Sequence, residues 1–432
     1  DVQLGKNKAD WAEGKAIRFH ALSPDRVSPF CEHFGLCGGC QWQMLPYEKQ
    51  LSYKFKQVSD NLNRIAKIPL PAIKPILGAQ ATQAYRNKME YTFANRKYIA
   101  DAAFQAMKAR GESPDQLPGA GGFHLRGFFD KVIEINTCHL QAEPTNGIRH
   151  FVADYTKAHG LPFYNIKAHE GWIRNLVVRN STLGQWMVNV VFGYEDKTHQ
   201  KALLEGLLAA FPAITTLLYT INPKKNDALY DLSPQVFFGP GYIEEALEDL
   251  RFKISPKSFF QTNSAQAQAL YQVTREMAEL DGSQVLYDLY CGTGSIGLFC
   301  HQGARKIIGV EAIADAIADA KINAERNGIT KADFFAGDVI DICNDDFFAT
   351  HGKPDVIITD PPRAGMHEKL VQKILDLEAP LVVYVSCNPA TQARDLALLA
   401  EKYTVTAIQP VDMFPHTLHI ENVVQLKRKQ HD

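Results

Sequence analysis

Asp288-Leu-Tyr-Cys-Gly-Thr-Gly-Ser-Ile-Gly297 is the stretch that decides the fold. The run 284–290 (QVLYDLY) reads as a buried strand, and the glycines that follow lead into a helix. Glycine at a strand-to-helix turn lets a ligand approach the backbone closely. Working outward, strand 306–310 ends at Glu311, a carboxylate 23 residues after Asp288, where such folds hold a ribose hydroxyl pair. Helix 312–327, strands 332–336 and 355–359, helix 367–377, strand 381–386 and helix 390–401 continue the alternation, and helix 264–279 precedes it. Strands alternating with helices predict an α/β, doubly wound, mostly parallel sheet over 251–432. Ligands of open α/β sheets bind at the carboxyl ends of the strands. Those ends carry Glu311, Asp338, Asp360-Pro-Pro-Arg-Ala-Gly365 and Ser386-Cys387-Asn388-Pro389.

Upstream the rhythm differs. Residues 47–66 place Leu51, Phe55, Val58, Leu62 and Ile65 at helical spacing, until Pro69, Pro71 and Pro75 end the pattern. Residues 85–250 read as strand-rich, with candidate strands at 88–93, 176–178 and 186–192. The segment 108–122, rich in Gly, Pro and charge, reads as an exposed loop.

The 432 residues are 46% hydrophobic and 22% charged, which excludes disorder as the main state. No apolar run approaches the ~18 residues of a membrane helix. The first residues lack the basic-then-apolar pattern of a signal peptide. A cytoplasmic protein with no membrane attachment is expected. Charge is uneven. Residues 1–110 hold 17 Lys and Arg against 9 Asp and Glu, whereas residues 111–432 hold 29 against 39. A basic first quarter beside an acidic remainder suggests a polyanion-binding module joined to a catalytic one.

In a reducing compartment, clustered cysteines suggest metal and single ones suggest packing or catalysis. Cys31-x5-Cys37-Gly-Gly-Cys40 offers three thiolates on one loop. Zinc and an iron–sulfur cluster both suit them, and both need a fourth ligand, from His33 or from Cys138-His139. Cys300 and Cys343 read as packing residues, whereas Cys387, at a strand end facing the ligand crevice, reads as a nucleophile. Asp412-Met-Phe-Pro-His-Thr-Leu-His-Ile-Glu421 offers Glu421, His416 or His419 as a base.

These motifs form a series. The loop's D-x-x-C-G-x-G form resembles the S-adenosylmethionine (SAM) loop of class I methyltransferases. SPKSFFQTN, DLYCGTG, DPPRAG, VSCNPAT and DMFPHTLHIE, in that order over 251–432, closely resemble the SAM-dependent RNA uracil-C5 methyltransferases. The resemblance implies that Cys387 attacks uracil C6 and that Glu421 removes the C5 proton. It also implies that Gln261, Tyr290, Glu311 and Asp360, with Asp338, contact the cofactor or hold the site. Uracil C5 is too weak a nucleophile to take a methyl group unaided, so an activated thiol and a base must share one pocket.

The segment Cys31-Glu-His-Phe-Gly-Leu-Cys-Gly-Gly-Cys-Gln-Trp-Gln43 resembles the RumA-type subgroup of that family, which carries a [4Fe-4S] cluster and acts on 23S ribosomal RNA. The resemblance implies Cys31, Cys37, Cys40 and Cys138 as ligands. The segment lies far in sequence from the methyl-transfer motifs, which favours a structural role in RNA binding over redox work. The resemblance further implies a monomer divided into a partial TRAM (OB-like) domain at 1–25, a cysteine loop and helix at 26–70, a central RNA-binding domain at 71–250 and the methyltransferase domain at 251–432. The alternatives are a tRNA uracil-C5 methyltransferase, an amino methyltransferase acting on adenine or guanine, and a non-catalytic RNA-binding protein with structural zinc. Arg363, where an amino methyltransferase has an aromatic residue, argues against the second of these.

Overall fold

The computed structural model describes residues 1–113 and 117–430, and in them two seven-stranded sheets organise the chain. An exposed hairpin, β1 (Val2–Asn7) and β2 (Ala12–Ala16), comes first. The cysteine loop follows, then helix α1 (Tyr47–Asn61), which continues through a wider turn over Leu62–Ala66.

The first large sheet holds β3 (Lys88–Ala94), β4 (Ala120–His124), β5 (Val132–Glu134), β6 (Ile173–Asn180), β7 (Trp186–Phe192), β8 (Ile214–Ile221) and β9 (Gln235–Phe238), in the order 5-4-3-6-7-8-9. Only the β7–β8 pair is parallel. Helices α2 (Asp101–Ala109), α3 (Thr145–Ala158) and α4 (Lys197–Ala210) accompany it. The loop expected at 108–122 is shorter than its composition suggests. Residues 108–109 end α2, and Ala120–Gly122 lie buried in β4, where small residues are needed. A Cβ on Gly122 would come within 2.0 Å of the Ile133 carbonyl. Residues 114–116 of that loop lie outside the described residues.

A hairpin, β10 (Ile243–Leu247) and β11 (Leu250–Ile254), leads to the second sheet. This sheet comprises β12 (Val285–Leu289), β13 (Lys306–Glu311), β14 (Ala332–Ala336), β15 (Val356–Thr359), β16 (Leu381–Ser386), β17 (Tyr403–Val411) and β18 (Glu421–Arg428), in the order 14-13-12-15-16-18-17. The first five are parallel, and β18 runs antiparallel to both its neighbours. Helices α5 (Ser264–Met277), α6 (Ser295–Phe299), α7 (Ala314–Arg326), α8 (Val339–Ile342), α9 (Asp345–His351), α10 (Glu368–Leu377) and α11 (Pro389–Leu399) cover its faces. Asn263 and Asn388 cap α5 and α11 through their side chains, and Pro389 opens α11 where no backbone donor is needed. Strand order reverses between β12 and β15, which is where open α/β sheets form their ligand crevice.

Helix α1 packs on this second sheet. Val58, Leu62 and Ala66 join the core around Tyr384, Leu396 and Leu399. The cysteine loop is therefore attached, through its own helix, to the sheet that carries Cys387. No helix among the described residues is long and apolar enough to cross a membrane.

Candidate active site

The glycine loop is built around Asp288. Its carboxylate is fully buried on β12 and accepts the Gly297 N–H at 2.8 Å, tying the end of the loop back to the strand that begins it. A Cβ at position 297 would come within 2.9 Å of that oxygen, so glycine is required. Tyr290, Gly292 and Gly294 have φ of 64°, 55° and 75°, which turn the chain sharply over the strand end. Glu311, at the end of β13, accepts the Gly292 N–H at 3.3 Å and the Ile313 N–H at 2.9 Å.

The sheet register places Leu289 beside both Val310 and Thr359, so Tyr290 emerges between Glu311 and Asp360. Asp338 caps α8 on the exposed side, and its charge reaches the Tyr290 hydroxyl. Gln261 arrives from the loop before α5. Asn87 of β3's approach fixes that loop, donating to the Gln261 carbonyl at 3.0 Å and to the Thr262 carbonyl at 2.8 Å.

Cys387 and Glu421 come together because β16 and β18 are antiparallel. Ser386 pairs with Asn422, and one step further out lie Cys387 and Glu421. Their electrostatics are coupled. Burial, then Glu421 and Asp360, push the Cys387 thiol up to about 11, and Arg363 opposes the shift. Burial, then Asp360, hold the Glu421 carboxyl well above its ordinary range, with Arg363 again opposing. Burial also raises Asp360 to about 7. Asp288 stands at about 7, through burial chiefly and then Asp360 and Glu311. Asp288 and Glu421 are buried and Asp360 is half-buried, and all three are held above the ordinary carboxylate range. A cofactor that carries a cation, as the sulfonium of SAM does, offsets such an excess of carboxyl groups, so the donor set fits that cofactor.

The loop between β17 and β18 is held from three directions. Lys54 of α1 donates to Asp412 at 2.6 Å and to the Phe414 carbonyl at 3.0 Å, and the Tyr47 hydroxyl donates to Asp412 at 2.7 Å. Asn263 and Gln266, at the start of α5, donate to the Met413 and Asp412 carbonyls at 2.9 and 2.7 Å. From the cysteine loop, the Gln41 and Trp42 N–H groups donate to the His416 carbonyl at 2.8 and 3.0 Å. The buried Gln50 side chain accepts the His416 N–H at 2.8 Å and contacts its ring nitrogen Nδ1 at 3.1 Å. His416, at φ 65°, is thereby committed to packing, and His419 lies 3.3 Å from Arg363. Of the three candidate bases in this segment, Glu421 is the one whose charge acts on the thiol.

A cavity of about 430 Å³ separates the cysteine loop from this segment. Cys31, Cys37, Cys40 and Cys138 line one side of it, and Arg363, Thr417 and His419 line the other. All four thiols are free. Burial raises each of them, Cys37 to about 11 and Cys40 to about 12; the charges of neighbouring cysteines add to the shift at Cys37, Cys40 and Cys138, and that of Glu32 adds to it at Cys31. His33 is committed elsewhere, since its Nε2 accepts the Asn136 N–H at 2.9 Å. His139 packs edge-on against Phe30 at 5.4 Å. Cys138 is held by Asn146, which accepts its N–H at 2.8 Å. Among the described residues, no three His, Cys, Asp or Glu side chains converge as the ligands of a single ion must. The four free thiols line one cavity.

Sequence reasoning passed over two contributors. Arg363 was legible within DPPRAG but had no assigned task, and its charge opposes the shifts at both Cys387 and Glu421. Lys54 gave no signal, because its partner lies 358 residues away.

The comparisons agree with this geometry. The family model described as tRNA (uracil-5-)-methyltransferase matches residues 233–429. An RNA methyltransferase of Bacteroides thetaiotaomicron is 52% identical over 431 residues, covering 99% of this chain and 94% of the relative. One from Chlorobaculum tepidum is 41% identical over 437 residues, covering 99% and 89%. Among solved structures, the Pyrococcus abyssi tRNA (uracil-54, C5)-methyltransferase in complex with S-adenosyl-L-homocysteine superposes with a TM-score of 0.73 at 26% identity. That match covers 98% of this chain and 91% of the other. With its class I methyltransferase sheet, the chain belongs to the uracil-5 RNA methyltransferase family and is a SAM-dependent RNA methyltransferase.

Proposed function

We propose that the chain methylates C5 of a uridine in 23S ribosomal RNA, with Cys387 as nucleophile and Glu421 as general base. The observation that carries this reading is the pairing of Cys387 with Glu421 at adjacent strand ends, beside Asp360 and the cofactor loop.

The resting thiol is protonated, with its pKa near 11, so attack requires a proton acceptor. Asp360, at the neighbouring strand end and with its charge acting on the thiol, is the group we assign to take the Cys387 proton. The Cys387 sulfur bonds to C6 and the ring electrons move to C5 and O4. Arg363, the cation beside both groups, stabilises the charge that develops. When bound, SAM supplies the methyl group to C5 and leaves as S-adenosylhomocysteine. Glu421 then removes the C5 proton, the C5–C6 double bond re-forms and the C6–S bond breaks, returning the thiolate. The target base lies in folded RNA and must be turned out of its stack to reach the crevice.

Cys31, Cys37, Cys40 and Cys138 would hold a [4Fe-4S] cluster that joins the cysteine loop to the central sheet. Its role in our reading is structural. The ribosomal substrate rests on the likeness of the cysteine segment to the cluster-bearing subgroup. The Pyrococcus abyssi neighbour, named for tRNA, favours tRNA as the second reading. In either case the protein works as a cytoplasmic monomer.

The test is covalent trapping. Protein, SAM and a ribosomal RNA fragment carrying 5-fluorouridine are mixed and run on a denaturing gel, with Cys387→Ala beside the wild type. Fluorine cannot leave as a proton, so the adduct persists. A shifted band lost in the variant supports the reading, and its absence with SAM bound and whole ribosomal RNA supplied refutes it. Transfer of labelled methyl groups to tRNA but not to 23S RNA would replace the substrate.

A further inference from the structure

A second cavity, of about 470 Å³, opens between the first large sheet and the loop that carries Gln261. Its floor is cationic. Arg86, Lys88 and Arg179 line it from the first sheet, and Lys257 lines it from the cofactor side. Its acids are already committed. Asp227 pairs with Arg174 at 2.7 Å, and Glu90 faces Lys88 at 3.7 Å.

Arg179 is the informative member. The residue is only 5% exposed, and its guanidinium donates to the Ser258 carbonyl at 2.7 Å. Its Nε is buried and has no hydrogen-bond partner among the described residues. Burial pulls this guanidinium down to about 10, against the small upward pull of Glu90. A buried cation with an unused donor costs free energy unless an anion completes it.

The mouth is aromatic. Tyr230 is 78% exposed at the rim, with its carbonyl held by Lys257 at 3.0 Å. Phe259, on the same lip, stands two residues before Gln261. Arg86 and Glu90 line this cavity and also the one bounded by Arg363 and His419, so the two adjoin at these side chains.

We propose that this cavity is a second nucleotide subsite, which receives an unstacked nucleotide of the RNA strand flanking the target uridine. Its phosphate lies against Arg179, Lys88 and Arg86, and its base lies on Tyr230. Single-stranded RNA is recognised by this combination of a cationic groove and an aromatic face. The inference rests on the RNA-methyltransferase reading, and adds to it a place where the substrate strand is gripped away from the reacting base.

The experiment uses the full chain and a fluorescein-labelled single-stranded oligouridylate, with the dissociation constant followed by anisotropy across a salt series. Tyr230→Ala is expected to weaken binding about tenfold with little change in salt dependence. Lys88→Ala is expected to lower the slope of log K against log salt by about 0.7, the value for one phosphate contact on a single strand. Both variants should keep wild-type SAM affinity and melting temperature. Wild-type affinity and slope in both variants would overturn the proposal, as would a wild type that binds no oligouridylate. Methyl transfer to ribosomal RNA, measured on the same preparations, separates the two readings. Wild-type transfer with unaffected variants sinks the subsite alone. Weakened variants with no uridine methylation by the wild type sink the uridine reading alone.

Discussion

Replacing Lys54 with Met tests whether the catalytic loop depends on a buried ion pair. Lys54 and Asp412 both have 0% side-chain exposure, and their charged atoms lie 2.6 Å apart. Burial lowers the Lys54 pKa and Asp412 raises it, so each charge is justified by the other. Removing one partner of a buried pair costs about 3–5 kcal/mol, since the remaining charge is left without compensation. Here Asp412 keeps two donors, the Tyr47 hydroxyl at 2.7 Å and the Phe414 N–H at 3.1 Å. The expected cost is therefore at the lower end, about 3 kcal/mol. Adding Asp412→Asn removes the orphaned charge and should recover about 2 kcal/mol of it. Urea denaturation followed by circular dichroism measures both values. Single-turnover methyl transfer should fall in the single variant through kcat, because Asp412 lies nine residues before Glu421 on the same loop, while the KM for SAM stays near wild type. A Lys54→Met cost below about 1 kcal/mol would refute the argument, since that is the scale of a neutral hydrogen bond. So would a double variant no more stable than the single one.

Three further outcomes follow from the same geometry. Glu421→Gln should accumulate a protein–RNA adduct on unmodified uridine, because the C5 proton is not removed, whereas Cys387→Ala should give none; equal adduct in both would exclude these roles. Asp288 carries a folded pKa near 7 against an ordinary 3.8, so its contribution to stability is present below about pH 4 and lost as pH rises through 7. Asp288→Asn, which keeps an acceptor for the Gly297 N–H, should match wild-type stability near pH 4 and exceed it at pH 8; parallel pH profiles would count against the buried carboxylate. Anaerobically prepared protein should show broad absorption at the blue end of the visible spectrum, with iron and sulfide, and Cys138→Ser should lose both; stoichiometric zinc without iron would exclude the cluster.

The methyltransferase sheet was legible because its signals are local. Strand 332–336 and strand 381–386 have the bounds that apolar runs predict, and the helices end within about two residues of expectation. The placement of Glu311, Asp360 and Cys387 was legible for a related reason, since each sits at the carboxyl end of a strand and those ends in this topology face one crevice, whereas Gln261 comes from the loop before α5. What sequence could not show is register. The antiparallel return of β18 makes Cys387 and Glu421 neighbours, although they lie 34 residues apart, and nothing local announces it. Composition misled at Ala120–Gly122, where glycines that read as loop are instead the small residues a crowded strand requires. The helix at 47–66 was recognised, but not the sheet that receives its apolar face.

The same limit applies to the cysteine segment, and there it alters the argument about function. Distance in sequence suggested a module remote from methyl transfer, with its cluster serving RNA binding alone. In space the segment touches the loop that presents Glu421. Gln41, Trp42 and Gln50 supply the bonds that hold His416 in a left-handed conformation five residues before that carboxylate. Such a conformation is costly for a non-glycine residue and persists only where neighbours enforce it. Residues 41 and 42 thus supply one of the three sets of bonds that fix the loop before Glu421. On the function proposed above, a protein that lost the group we assign to Cys31, Cys37, Cys40 and Cys138 should keep its affinity for SAM but hold Glu421 less firmly. Cofactor binding and proton removal would then fail separately, a dissociation that a purely RNA-binding role for the cysteine loop does not produce.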